Sequence, residues 1–149
     1  MKQMKVDAIK NGTVIDHIPA GKVLQVVEIL NVKKHHVMMI GMNLHSNKVG
    51  KKDILKIENH FLSQEEVNSI ALIAPSATLT IIRDFEIIRK TKVEIPKFIE
   101  NIITCPNPKC ITNSEKIKTK FTVSEDESLS VRCFYCEKKY KIEEVRIEI

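Results

Sequence analysis

The tightest constraint on this chain is where its cysteines fall. All four lie within one stretch, as the pairs CPNPKC (Cys105, Cys110) and CFYC (Cys133, Cys136), and the hundred residues before them hold none. Zn²⁺ takes four soft ligands in a tetrahedron, and a short turn bearing two cysteines supplies one edge of it. CFYC has the usual knuckle spacing. CPNPKC is longer, and its two prolines stiffen the turn and lower the entropy lost in forming it. The alternatives are a pair of disulfides, four unrelated thiols, or redox chemistry at CFYC. The opening MKQMKVDAIKNG lacks the apolar core of a signal peptide, and no apolar run is long enough to span a membrane. A cytosolic location is therefore expected, and clustered cysteines there bind metal more often than they form disulfides. A thioredoxin-type motif would open a helix, whereas the surroundings of CFYC read as strand. Four thiolates leave no open coordination position, and no HExxH or H-x-E motif accompanies them. The expected cofactor is one structural Zn²⁺ held by Cys105, Cys110, Cys133 and Cys136.

A metal staple suits a short segment with a thin core. Pro96 restricts the backbone in KTKVEIPKF, and the cysteines begin soon after, which divides the chain into residues 1–95 and 96–149. The net charge of +5 suggests nucleic acid, but its distribution argues otherwise. Residues 1–92 carry 14 Lys/Arg against 9 Asp/Glu, whereas residues 93–149 carry ten of each. The cysteine-bearing segment is thus no polycation, and neither nucleic-acid nor membrane binding is expected of it. A zinc-ribbon nucleic-acid binder and a small zinc enzyme remain the rival readings.

The first segment reads as strands and helices in the order β-β-α-β-β-α-β. Residues 4–9 and 13–18 suggest two strands joined at Asn11-Gly12, a hairpin signal. In GKVLQVVEILNV, Val23, Val26, Val27 and Leu30 repeat at helical spacing. HVMMIGMNL reads as a buried strand and KKDILKIEN as another. FLSQEEVNSIALIAP opens with a capping box, Ser63 with Glu66, and Val67, Ile70, Ala71 and Ala74 make an apolar face that Pro75 ends. ATLTIIRDFEIIRK reads as one long final strand. The fold class is α+β: a ferredoxin-like antiparallel sheet with two helices and one extra strand, followed by a small all-β, zinc-ribbon-like domain. In the second segment IKTKFTVSE, LSVRC and KIEEVRIEI alternate as strands do.

Lys52 and Lys56 share a face whether KKDILKIEN is a strand or a helix. With Lys90 they suggest a phosphate site outside the P-loop and Rossmann classes, since neither glycine motif is present. Lysines on strands are also ordinary solvated edge residues, and composition alone does not choose between the two. His17 taken alone is an ordinary packed or surface histidine.

The set VDAIKNGTVIDHIPAG, GMNL…GKKDILKIEN, FLSQEEVNSIALIAPSAT, CPNPKCITNSE and CFYCEKKY, in this order, resembles the regulatory chain family of aspartate carbamoyltransferase over nearly the whole length. The resemblance implies a non-enzymatic subunit of pyrimidine biosynthesis. Its N-terminal domain would bind nucleoside triphosphate effectors, ATP and CTP with UTP assisting in some members, and its zinc domain would dock on separate catalytic chains. It also implies a regulatory homodimer, three of which join two catalytic trimers. Carried over by position, Asp7, Ala8, Ile9, Asp16 and His17 would line the nucleotide site along the first hairpin. Main-chain groups there would read the base and Asp16 would hold the ribose. Lys52 and Lys56 would contact ribose and phosphates, Lys90 the triphosphate, and Ile82 and Phe85 would flank the site on the last strand. The four cysteines match the family's zinc ligands one for one. Thr80 and Phe85 stand where better-known members carry an amide and a tyrosine, so polar contacts are removed at both.

Overall fold

On the strand Gly12–Pro19 (β1), Thr13, Ile15 and Ile18 are buried while Val14, Asp16 and His17 are only partly so. The computed structural model, which describes residues 8–30, 36–47 and 50–148, builds the first half of the chain on this strand. The elements that follow are α1 (Val23–Leu30), β2 (Met38–Ser46), β3 (Gly50–Glu58), α2 (Gln64–Ile73), β4 (Thr78–Arg83) and β5 (Glu86–Lys92). The sheet order is β2-β3-β1-β4-β5, with every neighbouring pair antiparallel. Removing β5 leaves the ferredoxin-like arrangement, so the extra strand is β5 at the edge.

That placement corrects three sequence expectations. Both edges of β1 are occupied, by β3 and by β4, and Ala8 and Ile9 lie in no strand; residues 4–7 of the first expected strand lie outside the described residues. The long final strand is two strands. Asp84 and Phe85 both take positive φ (49° and 66°) and make a two-residue turn of the kind that matches strand twist. Lys90 is therefore inside β5, Ile82 lies on β4, and Phe85 sits at the hairpin tip. HVMMIGMNL is not buried: β2 is the other edge strand, with Val37, Met39, Ile40 and Met42 exposed. An apolar run alone cannot tell a central strand from an edge strand awaiting cover.

Both helices pack on one face of the sheet. Val23, Val26, Ile29 and Leu30 of α1 and Ile70, Ala71, Ile73 and Ala74 from α2 and its C-cap meet Ile15, Leu55, Ile57 and Leu79 of the strands. A fully buried side chain of this size contributes about 1.5–3 kcal/mol. The capping box of α2 forms as expected: the Glu66 N–H donates to Ser63 Oγ (3.2 Å) and the Ser63 N–H to Glu66 Oε1 (3.0 Å).

The second half comprises β6 (Phe98–Glu100), β7 (Ile103–Thr104), the single turn α3 (Ile111–Ser114), β8 (Lys120–Glu125), β9 (Leu129–Cys133), β10 (Lys139–Lys141) and β11 (Arg146–Ile147). β10-β9-β8-β6 form a four-stranded sheet and β11-β7 a small ribbon. The strand expected across KIEEVRIEI is broken by a 3₁₀ turn at Ile142–Glu144. Ile99, Ile103, Phe121 and Val131 fill this half's core together with three of the cysteines, and Leu72 of α2 is buried among them.

Candidate functional site: a thiolate cage and an open sheet face

The four sulfurs converge from two turns. Cys105 follows β7, Cys110 is the N-cap of α3, Cys133 ends β9 and Cys136 lies in the turn before β10. Their Sγ atoms all lie within 4.8 Å of one another. Cys105 Sγ is 3.7 Å from Cys136 Sγ, and Cys110 Sγ is 3.8 Å from Cys133 Sγ. A tetrahedron with Zn–S of about 2.3 Å has edges of about 3.8 Å, so the cage has the dimensions of zinc ligation. All four cysteines are free of disulfides.

The electrostatics also call for a cation. Burial pushes the Cys105 thiol up to about 12, against a weaker opposing pull from the Asn107 N–H. Burial opposes ionisation of Cys136 too, yet the Lys138 N–H, the Asn107 side chain and the Cys105 and Cys133 sulfurs bring it down to about 7. Cys133 is shifted upward, first by burial; for Cys110 burial opposes ionisation, but the Thr112 hydroxyl and N–H together with the Cys133 and Cys105 sulfurs shift it downward. Sulfurs crowded in this way cannot all ionise unaided, whereas a central Zn²⁺ stabilises four thiolates together. Backbone amides support them: Asn107 faces Cys105, Thr112 faces Cys110, Tyr135 and Cys136 face Cys133, and Lys138 faces Cys136. The Asn113 amide ties the first turn by donating to the carbonyls of Cys105 (2.9 Å) and Asn107 (2.7 Å). The donor set fits a structural Zn²⁺, and its four ligands fill the coordination shell. Among the described residues no other group of three or more His, Cys, Asp or Glu comes together in this way.

Strand register fixes the other candidate site. Met39, Lys56, Val14, Thr80 and Lys90 are successive cross-strand partners, one per strand, so they form a single row across all five strands. Next to it run Glu58, Gly12, Ile82 and Ile87, and on the other side Asp16, Thr78 and Lys92. Residues of one row share a face, and this is the face opposite the helices. A bulge between Ile15 and Ile18, where His17 takes φ 57°, aims Asp16 at Lys52, whose Nζ lies 2.8 Å from Asp16 Oδ1. Burial alone would raise the Asp16 carboxyl, but the hydrogen bond from Lys52, the His17 N–H and the Lys52 charge together hold it below its ordinary value. Among the described residues neither Lys56 nor Lys90 is in an ion pair.

Asp16, Lys52, Lys56, Ile82 and Lys90 thus share one sheet face. Ala8 and Ile9 border a cavity of about 170 Å³ with Met39, Lys56 and Glu58. His17 is turned along the β1–β4 seam, its Nδ1 3.1 Å from Thr78 Oγ1. Phe85 stands at the hairpin tip, 63% exposed, and Asp7 lies outside the described residues. Sequence reasoning did not find Val14, Met39 and Glu58 on this face, nor Thr112 and Asn113 behind the sulfurs. Only the pairing register reveals the first three.

Two family models match the chain: aspartate carbamoyltransferase regulatory chain, allosteric domain, over residues 4–94, and the metal binding domain of the same chain over residues 97–146. The chain belongs to the aspartate carbamoyltransferase regulatory chain family. It is 55% identical over 148 residues to the regulatory chain of Pyrococcus abyssi, with 97% of each chain covered. It is 53% identical to that of Pyrococcus furiosus, again with 97% of each covered, and 51% identical to that of Methanocaldococcus jannaschii, with 93% of each covered. As a member of this regulatory chain family it is a non-catalytic subunit with an allosteric domain and a metal-binding domain, and the thiolate cage is its structural zinc site. No helix among the described residues is long and apolar enough to cross a membrane.

Proposed function

We propose that this regulatory chain binds nucleoside triphosphates on the open face of the five-stranded sheet, and thereby controls the catalytic chains of aspartate carbamoyltransferase in pyrimidine biosynthesis in the cytoplasm. Residues 1–95 form the effector-binding unit and residues 96–149 the zinc unit that docks on the catalytic chain. The observation that carries this reading is the row Lys56–Val14–Thr80–Lys90. Two lysines that have no carboxylate partner among the described residues flank small side chains, about 14 Å apart along the row at the usual strand spacing, and offer charge to a polyanion lying between them. Lys52 is already neutralised by Asp16, so that pair suits ribose hydroxyls, which need both a donor and an acceptor. Ala8 and Ile9 then supply main-chain groups for the base, Asp7 and His17 continue that edge, and Ile82 and Phe85 provide apolar flanks.

ATP, CTP and UTP carry the same triphosphate, so the lysines supply affinity common to all of them and discrimination belongs to the base end. An effector shifts the assembly only as far as its affinities for two global states differ, commonly by about 1–3 kcal/mol. The exposed edge strand β2, with Met39, Ile40 and Met42 at its surface, suits the regulatory homodimer. The test is calorimetry on the zinc-loaded chain. Lys56→Ala should weaken ATP and CTP alike, by roughly 10- to 100-fold for one charge-assisted phosphate contact. Parent-like ATP binding by that variant would remove the reading.

A further inference from the structure

Three segments meet at Asn11. Its carbonyl accepts the Asn59 N–H at the end of β3 (2.8 Å), and its Oδ1 accepts the Asp84 N–H of the β4–β5 turn (3.1 Å). One residue earlier, the Lys10 carbonyl accepts the Phe85 N–H (2.9 Å). The hairpin tip and the stretch Ala8–Asn11 that leads into β1 are therefore fastened to each other by two hydrogen bonds, and only one of them depends on a side chain. The turn needs the fastening. Phe85 is a bulky residue at φ 66°, a backbone conformation that persists only where the surroundings impose it. On the other side of the clip, Ile9 and Ala8 border the cavity shared with Lys56 and Met39.

We infer that Asn11 is a positioning residue for base discrimination: its side-chain amide oxygen ties the β4–β5 hairpin tip to the stretch that carries Ala8 and Ile9, and so fixes where their main-chain groups stand beside the cavity a nucleobase enters. The inference rests on the nucleotide reading above and assigns within it a role to a residue that touches no part of the ligand. Lys56 and Lys90 lie one row further along the sheet and do not depend on the clip. Asn11 therefore affects the ratio of purine to pyrimidine nucleotide binding and leaves the affinity for a bare triphosphate unchanged.

Calorimetry on the zinc-loaded full chain with ATP, CTP and inorganic tripolyphosphate separates these effects. Asn11→Ala deletes the acceptor and keeps the carbonyl that holds Asn59. It should change the ATP-to-CTP affinity ratio by about fivefold, the scale of one hydrogen bond, with tripolyphosphate affinity within about twofold of the parent. Asn11→Asp keeps an acceptor at the same position and should return the ratio to within about twofold of the parent. An unchanged ratio in Asn11→Ala overturns the inference and leaves the nucleotide reading standing. So does a loss shared equally by all three ligands, or an Asn11→Asp variant as altered as Asn11→Ala. A parent that binds tripolyphosphate but shows no added affinity for either nucleotide overturns both.

Discussion

Asp53 is the side chain whose removal should cost the first half of the chain most. It has no exposed surface, and its carboxylate accepts three backbone N–H groups. Oδ2 takes those of Gly21 (2.8 Å) and Val23 (3.2 Å), at the start of α1, and Oδ1 takes that of Asn43 (2.8 Å), where β2 bulges with φ 57°. β3 is flanked by two bulges at this level: Ile15 to Ile18 of β1 lies opposite Leu55 to Asp53, and Gly41 to Leu44 of β2 opposite Ile54 to Lys52. The carboxylate supplies the acceptors that these irregular stretches lack. Hydrogen bonds to a charged acceptor contribute about 1.5–3 kcal/mol each, and a buried donor left without a partner costs about 1–3 kcal/mol. Allowing for water entering the space vacated by the side chain, Asp53→Ala should destabilise the fold by about 3–5 kcal/mol. Asp53→Asn keeps one carbonyl oxygen but turns an NH₂ toward N–H donors, and should destabilise by about 2–4 kcal/mol. Small domains have only about 5–15 kcal/mol in total. In urea, with m near 1–3 kcal/mol/M, such losses move the midpoint by roughly 1–5 M, read by far-UV circular dichroism with zinc present. The exposed pair Lys139–Asp126 (3.4 Å) is the control, and Asp126→Ala should shift the midpoint negligibly. An Asp53→Ala variant within about 1 kcal/mol of the parent would refute this account, because among the described residues Asp53 is the side chain that accepts from those amides.

Two further outcomes follow from the sites. A strong chelator, once thiol modification opens the cage, should release one Zn²⁺ per chain by elemental analysis and unfold the β6–β10 sheet, since three of its buried core residues are ligands and the metal's binding energy is folding energy; a chain that keeps this sheet's amide protection after zinc loss would contradict it. For Asp16, the folded carboxyl is held below its unfolded value, so its pairing stabilises the chain above the unfolded pKa and is lost as pH falls through the folded one. Asp16→Asn should therefore be less stable than the parent near neutral pH, by about 1 kcal/mol for a partly buried pair, and the two should converge in acid; a gap that widens on acidification would reverse the sign.

Local rules carried the sequence reading where a residue's neighbours in the chain decide its place. The capping box at Ser63 and Glu66, the helical repeat of Val23, Val26 and Leu30, and the cysteine pairs are of this kind, and all form as their spacing implies. Failures came where partners are distant. Asn11-Gly12 has the composition of a hairpin turn, yet Gly12 opens the central strand of the sheet. A Cβ there would lie 2.1 Å from the Ile57 carbonyl oxygen, so the glycine serves a close strand approach rather than a turn. Conversely, Asp84-Phe85 lacks the glycine expected after Asp in a tight hairpin and is still a turn, with its amides held by Lys10 and Asn11. Edge and centre were equally hidden for β2, whose apolar run looks the same in either position. The lysines show the same limit. Lys52 and Lys56 could be placed on one face from spacing, but which of them is neutralised depends on a bulge in another strand.

The same strands that present the lysines on one face carry the bed of the helices on the other, and this gives the two halves of the molecule a mechanical relation. Ile15, Leu55 and Leu79 alternate with Asp16, Lys56 and Thr80, so a change in strand spacing on the open face is also a change beneath α2. On α2, Ile70, Ala71 and Ile73 belong to the first core while Leu72 is 1% exposed and packs with Ile99, Ile103 and Phe121 of the second. Ile147 touches both. Close-packed interiors do not absorb small displacements but pass them on as repacking. A core braced by a four-thiolate metal site has fewer ways to repack than an apolar core of its size, and Leu72 of α2 is packed directly into it.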